Sequence, residues 1–301
     1  MKSSSLLSIL CALTAGAFIQ LPSTASAQAV DAGEAARSML EKYKGTMVVV
    51  SVKGLLKASG GGKSLPDQPQ LRRTLGTVVA ENGMVVVSNA AIDASVGLTG
   101  KKAKNGEEVV TIEGVKTEFE AAEVAYGDGT AIKARVIRQD ADADVAFLLP
   151  DPADAKAKGK ESFTMIDLKD FASSAKVGDE VVGLSRASEV YGYIATVIVG
   201  RITGVFNPPG TGDRTYYITT AGTAQGIPIF TLDGKLVGVT LERIVQGERT
   251  GILGTLPASS LSIMANLALE SAKQTPTAPS PAAPATGAPA TGAPATGKGN
   301  P

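Results

Sequence analysis

The 301-residue sequence contains no histidine, and this limits the kinds of catalytic site that its residues could form. A Ser-His-Asp or Cys-His arrangement needs an imidazole to take and return a proton, so both are excluded. The one cysteine, Cys11, lies in an apolar N-terminal stretch. The usual nitrogen and sulfur ligands of zinc are therefore missing from the rest of the chain, and we expect no metal and no other cofactor.

Two short motifs suggest a ligand but lack the residues that binding would need. The segment GGGKS (60–64) has part of a phosphate-binding loop, but Lys57 stands where that motif needs a glycine, and the helix-breaking LPDQPQ follows. The acidic DADAD (140–144) lacks the glycine and the glutamate of an EF-hand calcium loop. We interpret the first as a glycine-rich surface loop and the second as a polar turn.

The segment TAQGIPIF (223–230) has the pattern of a loop that carries a nucleophile. Many secreted proteases place the catalytic serine just before a Gly-x-Pro step, and here Gln225 holds that place. Thr219, Thr220 and Thr223 lie nearby, and a threonine can serve as nucleophile beside a lysine of lowered pKa. The lysines of the neighbouring segments stand at turn-like or linker positions, so we interpret the threonines as strand residues.

The elements that must position these residues are mostly strands. A helical lead-in (28–45) precedes strand-like runs rich in Val, Ile and Thr, which form one set over 46–150 and a second over 163–256. A polar linker (151–162) separates the two sets, and apolar residues at helical spacing predict a helix after Pro257. The length and the pattern fit one large all-β domain or a pair of fused barrels.

Both ends of the chain differ in composition from this folded part. Residues 1–27 have a positive start, an apolar run and the small-residue pattern STASA, which predict a signal peptide cleaved after Ala27. We therefore expect a secreted protein, periplasmic or extracellular, without another membrane-spanning segment. The tail, 274–301, repeats A-P-A-T-G and predicts a disordered spacer or tether.

The overall charge argues against some classes of partner. The sequence has 29 Lys+Arg and 29 Asp+Glu, and Lys2 is the only charged residue before position 28, so the mature chain has a net charge of 28 − 29 = −1. Because there is no basic excess, we expect no nucleic acid partner.

Three segments, taken in order, resemble trypsin-fold serine proteases of the HtrA/Deg type. They are GTVVAENGMVVVSNAAID (76–93), AYGDGTAIKARVIRQDADADVAFLLP (125–150) and TAQGIPIFTLDGKLVGVTL (223–241). The ending LGTLPASSLSIMANL is similar to the family's last strand and C-terminal helix. The resemblance implies an all-β fold over 46–273, with two six-stranded antiparallel β-barrels, a short N-terminal helix and a C-terminal helix. The PDZ domain that usually follows in the family is expected to be absent.

The catalytic triad of that family is incomplete in this sequence. The place of the histidine is Ala91, the place of the aspartate is Asp144, and the place of the serine is Gln225. The aspartate serves the family by holding and stabilising the imidazole, which is missing here. The resemblance therefore implies a secreted pseudoprotease without catalytic residues, used as a peptide-binding, protein-binding or scaffolding module of the cell envelope.

If the protein binds an extended peptide, the resemblance places the site in the former substrate groove, where a strand could add by β-pairing. Gln225 and Gly226 would lie beside the peptide, and Tyr216 and Tyr217 would flank it. Two other functions stay open. One is a peptidase with a catalytic set that uses no histidine, and the other is a structural envelope or matrix protein with the repeat tail as spacer.

Overall fold

The computed structural model describes residues 31–207, 214–245 and 247–274. The predicted signal peptide and all but the first residue of the predicted tail lie outside the described residues. The helices within these ranges are Ala32–Tyr43 (α1), Asn89–Ile92 (α2), Pro152–Ala157 (α3) and Ala258–Gln274 (α4), with short 3-10 turns at Lys44–Thr46 and Glu189–Tyr191. No helix of the described residues is both long enough and apolar enough to span a bilayer.

The first half of the domain is a ring-like antiparallel sheet. Its strands are Met47–Gly60 (β1), Lys63–Ser64 (β2), Gln68–Val78 (β3), Val85–Ser88 (β4), Gly114–Ala125 (β7), Ala131–Asp140 (β8) and Val145–Pro150 (β9). They lie in the order β2-β1-β3-β4-β9-β8-β7, and β1 also pairs with β7, so six of them close on themselves with β2 outside. Lys102–Asn105 (β5) and Glu108–Thr111 (β6) form a separate hairpin.

The second half is a closed six-stranded barrel. Its strands are Glu180–Arg186 (β10), Ala195–Phe206 (β11), Tyr216–Thr219 (β12), Pro228–Thr231 (β13), Leu236–Val245 (β14) and Glu248–Pro257 (β15). Every neighbouring pair in the order β10-β11-β12-β15-β14-β13 is antiparallel, and β13 closes on β10. The prediction of an all-β fold with two barrels is therefore confirmed.

The two terminal helices lie where the sequence predicts them. Asp31 caps α1 because its carboxylate accepts hydrogen bonds from the first-turn amides, including that of Gly33 at 2.7 Å. At the other end of α1, Tyr43 stacks on Phe230 of the second barrel with ring centroids 4.8 Å apart. In α4 the buried residues recur at helical spacing, as Leu261, Met264, Ala265 and Ala268.

Two segments differ from their sequence-based interpretation. The glycine-rich segment 60–64 is a tight hairpin rather than a free loop, because Gly60 pairs with Lys63 across the turn from β1 to β2. The predicted linker 151–162 contains α3, which begins where the Asp151 carboxylate accepts from the amide of Ala153 at 2.9 Å. In both cases a local turn or cap stabilises secondary structure in a polar segment, where no hydrophobic periodicity predicts it.

The seam between the two barrels is closely packed beside the nucleophile-like loop. One apolar core runs across it, from Val86 and Phe147 of the first half to Val182 and Phe230 of the second. At the edge of this core, the hydroxyl of Thr77 donates a 2.7 Å hydrogen bond to the carbonyl of Gly226. The loop that precedes β13 is therefore held by the first barrel as well as by its own.

Candidate functional site

The three triad places stand at the ends of strands that meet at the seam. Ala91 lies in α2, which follows β4; Asp144 lies in the turn before β9; and Gln225 lies just before β13. The amide of Ala90 donates to the Asp144 carboxylate at 2.6 Å, so α2 is fixed directly to the aspartate. The side-chain amide of Gln225 donates to the carboxylate of Glu242 in β14, and the backbone amide of Glu242 donates to Asp144 at 2.8 Å.

The carboxylate of Asp144 is buried and surrounded by donors. It is 1% exposed, and it accepts a 2.5 Å hydrogen bond from the hydroxyl of Ser88 in addition to the amides of Ala90 and Glu242. Burial raises the pKa of Asp144 to about 6, although these three hydrogen bonds act in the opposite direction. In place of an imidazole, the protein's own hydroxyl and amides satisfy this carboxylate.

A second buried carboxylate, that of Glu242, lies between the aspartate place and the serine place. It is 3% exposed, and it accepts from the Gln225 side-chain amide at 2.8 Å, from the Gly251 amide at 3.0 Å and from the guanidinium of Arg249. Burial alone would raise the pKa of Glu242, but the hydrogen bonds from Arg249 and Gly251 bring it below its ordinary value. We call Gln225, Glu242 and Arg249 the polar plug.

Sequence reasoning did not identify Glu242 and Arg249. The available signal was the charged pair Glu242-Arg243 within the strand-like run GKLVGVTLERI, because charged residues are rarely buried without a partner. The buried face of β14 confirms that signal, since Arg243 is also buried, with its guanidinium 4.4 Å from the ring centre of Tyr216. Nothing in the sequence pairs Glu242 with Gln225, which lies 17 residues away.

Two backbone amides on either side of Gln225 are hydrogen-bonded within the protein. The amide of Thr223 donates to the carbonyl of Ala221 at 3.1 Å, and the amide of Gly226 donates to the carbonyl of Thr240 at 2.7 Å. In acyl transfer, backbone amides near the nucleophile must be free to stabilise an oxyanion. In this structure, both of these amides point at carbonyl groups of the chain.

The three threonines considered as nucleophiles have different surroundings. The hydroxyl of Thr219 is buried without a hydrogen-bond partner among the described residues. That of Thr220 accepts from the amide of Arg201 at 2.8 Å, and Thr223 is exposed. Within the described ranges, no lysine forms a hydrogen bond with any of the three hydroxyls. The arrangement therefore contains no threonine–lysine pair.

The four residues predicted to bind a peptide differ in how deeply they are buried. Tyr216 is buried and stacks on Phe206 with ring centroids 5.7 Å apart, so its side chain packs inside the barrel. Gly226 is buried, whereas Gln225 and Tyr217 are half-buried. The side-chain amide of Gln225 is engaged in the polar plug. Peptide binding at these four residues stays a prediction. The described residues contain no cluster of three or more potential metal ligands.

Comparison with known proteins agrees with this architecture. The sequence matches no curated protein. Residues 74–239, more than half of the chain, match the family described as a trypsin-like peptidase domain. The matched range includes Ala91, Asp144 and Gln225 and parts of both barrels. The chain therefore belongs to the trypsin-like peptidase domain family.

Proposed function

We propose that the protein is a secreted, HtrA/Deg-like pseudoprotease that does not hydrolyse peptides and acts as a binding or scaffolding module of the cell envelope. One observation carries the catalytic part of this proposal. The residue at the serine place, Gln225, donates its amide to the buried carboxylate of Glu242 in a chain without histidine. A carboxamide is not a nucleophile, and no imidazole is available to activate another one.

The surroundings of the aspartate place support the same proposal. Asp144 accepts from Ser88, Ala90 and Glu242, so its two oxygens are already used by donors of the protein. Turning this carboxylate toward a hydroxyl nucleophile would break at least one of these bonds. Such an exchange leaves a buried donor unsatisfied, which costs about 1–3 kcal/mol.

The polar plug also bears on where a partner would bind. The carboxylate of Glu242 accepts from both the guanidinium of Arg249 and the side-chain amide of Gln225, which stands at the place of the serine. An extended peptide in this cleft would have to separate the buried carboxylate of Glu242 from Arg249, whose side chain is 39% exposed. We therefore place the binding function of the proposal on a surface outside the cleft.

A fluorophosphonate probe tests the absence of catalysis. We expect the purified mature protein to stay unlabelled, while stoichiometric labelling would overturn the proposal. Gln225→Ser is the informative variant, because it restores the hydroxyl without a base. It should stay unlabelled as well, and labelling of this variant would show that a base other than histidine operates in the cleft.

The open alternative, a peptidase with an unusual catalytic set, is tested by turnover of casein. Turnover by the wild type that is lost in Thr219→Ala, Thr220→Ala or Thr223→Ala would favour this alternative over the pseudoprotease.

Location is tested separately, by the mass of the mature protein in cell fractions. Cleavage after Ala27 and enrichment outside the cytoplasm are expected, and deletion of the repeat tail should change surface retention if the tail is a tether.

A further inference from the structure

A second cavity at the seam shares no residue with the polar plug or the triad places. It has a volume of about 510 Å³ and is lined by the turn that contains Tyr126, Gly127 and Asp128 of the first barrel and by the loop 192–195 of the second. Arg186, the last residue of β10, lines it between the two. A test at this cavity is therefore independent of the labelling experiment in the cleft.

The guanidinium of Arg186 is held by neutral groups alone. It donates to the carbonyls of Met47 at 2.7 Å, Tyr193 at 2.8 Å and Lys44 at 3.1 Å. These bonds use three of its five N–H groups. Among the described residues, no carboxylate lies within ion-pair distance of Arg186, and burial lowers its pKa. The side chain is thus rigidly placed and carries a positive charge without a counter-ion.

The acidic residues nearest to this cavity are already paired with other cations. Asp128 accepts from Lys160 at 2.6 Å, and Glu189 pairs with Arg73 at 2.8 Å. Neither forms an ion pair with Arg186. A partly buried charge without a partner is unfavourable, so a ligand that brings an anion is stabilised there. Carboxylate is the anion that best matches the planar fork of a guanidinium.

Exposed apolar side chains lie beside this positive charge. Ile194 lines the cavity and is 60% exposed, and Val190 and Tyr191, in the same loop, are 88% and 68% exposed. The Arg73–Glu189 ion pair and the bond from Arg186 to Tyr193 hold the loop at both ends. Large apolar groups on a fixed loop are typical of a contact surface for another molecule.

A second groove of about 360 Å³ adjoins the cavity, because both are lined by Arg186 and Tyr126, and the groove extends to Arg73 and Glu123. A chain can therefore pass Arg186 rather than end there. We propose that this seam cavity binds an extended peptide segment of a partner protein through an internal Asp or Glu side chain. Its carboxylate contacts Arg186, and a neighbouring apolar side chain packs on Ile194.

The test uses the full mature chain, labelled with ¹⁵N, and follows the Arg186 Nε–H resonance. The probes are acetyl-Ala-Leu-Glu-Leu-Ala-amide and its Gln counterpart, which lacks only the charge. We expect the Glu peptide to shift this resonance saturably and to bind about tenfold or more tightly than the Gln peptide, because a charge-assisted bond is lost. Equal affinities, or no saturable shift with the Glu peptide, would overturn the proposal.

Arg186 donates to three backbone carbonyls, so its replacement could disturb folding. A variant of the exposed Ile194 tests the same assignment without changing Arg186. Ile194→Asp puts a competing carboxylate beside Arg186, whereas Ile194→Asn changes the same exposed side chain without a charge. We expect Ile194→Asp to weaken binding of the Glu peptide about tenfold relative to Ile194→Asn. Equal binding by the two variants contradicts the assignment. Tighter binding of a Gln peptide with a free C-terminus than of the Glu peptide would contradict the choice of an internal side chain.

Discussion

The side-chain amide of Gln225 donates a 2.8 Å hydrogen bond to the carboxylate of Glu242, whose own backbone amide donates to Asp144. The residue at the serine place is thus linked to the residue at the aspartate place through a glutamate that the catalytic machinery of the family does not require. The side-chain nitrogen of Gln225 and the carboxylates of Glu242 and Asp144 all have hydrogen-bond partners within the protein. The residues at the serine and aspartate places therefore belong to one polar network, and they should affect stability.

Asp144→Asn should destabilise the protein. An asparagine offers one acceptor oxygen, so its NH₂ group faces either the amide of Ala90 or the amide of Glu242, and at least one buried donor loses its partner. We expect the free energy of unfolding at pH 7.5 to fall by about 1–3 kcal/mol in urea. The backbone is not a confounding factor, because φ is +56° at this residue and asparagine tolerates that region.

Asp142→Asn is the matched control for this change. It lies two residues earlier in the same turn, and its side chain is exposed. Its effect should stay within about 0.5 kcal/mol, as for most surface substitutions. If Asp144→Asn is no more destabilising than Asp142→Asn, the hydrogen bonds of Asp144 do not contribute to stability.

The raised pKa of Asp144 predicts a pH dependence of stability. The pKa is about 6 in the folded protein and about 3.9 in an unfolded chain, so the folded state binds the proton more tightly between these values. The stability that proton binding at Asp144 adds is full below about pH 4 and is lost as pH rises through 6, a change of about 3 kcal/mol, whereas its hydrogen bonds remain at higher pH.

The pH dependence is measured as the difference in the free energy of unfolding between the wild type and Asp144→Asn at pH 4 and pH 7. Asparagine does not titrate, so the change in this difference isolates Asp144. We expect the advantage of the wild type to be larger at pH 4. An advantage that grows toward pH 7 would mean that the bonds from Ser88, Ala90 and Glu242 outweigh burial.

The ion pair in the polar plug should contribute more to the free energy of unfolding than an exposed ion pair that Glu248 of the same hairpin forms. Arg249→Met keeps an apolar stem but leaves the buried carboxylate of Glu242 without its cation, and we expect a loss of about 2–3 kcal/mol. Lys101→Met removes an exposed pair with Glu248 at 2.9 Å and should cost less than about 1 kcal/mol. Urea unfolding of both variants checks this, and equal losses would contradict a structural role for the plug.

The local chemistry of the chain is readable from its sequence where one segment is sufficient. The Asp128-Gly129 pair predicts a hairpin, and β7 and β8 pair on either side of it, with Gly129 at φ +84°. Runs rich in Val, Ile and Thr likewise predict the strands, and the order of the segments indicates the family. These features depend on neighbours within a few residues.

Contacts between distant segments are beyond such reasoning. Glu242 interacts with Gln225 only because β13 and β14 bring two non-adjacent positions together, and Arg73 meets Glu189 over 116 residues of sequence. Their residue types are compatible with many partners, so composition and periodicity do not select one. The polar plug of Gln225, Glu242 and Arg249 is therefore a property of the tertiary structure.

The loop at the serine place depends on a glycine for two separable reasons. Gly226 has φ +79°, and a Cβ atom there would lie 2.0 Å from the carbonyl oxygen of Leu75 in the first barrel. Gly234 has a similar φ of +83° but no atom within 4 Å of the same position. Gly234→Ala thus measures the left-handed backbone alone, at about 1–2 kcal/mol.

Gly226→Ala adds a collision with the backbone of the other barrel, which cannot move aside as a flexible side chain would. It also strains the hydrogen bond from Thr77 to the Gly226 carbonyl. We expect a loss of about 3 kcal/mol or more in urea unfolding, clearly above that of Gly234→Ala. Equal losses in the two variants would show that the seam yields at this loop, and that the polar plug beside it can open without disturbing the barrels.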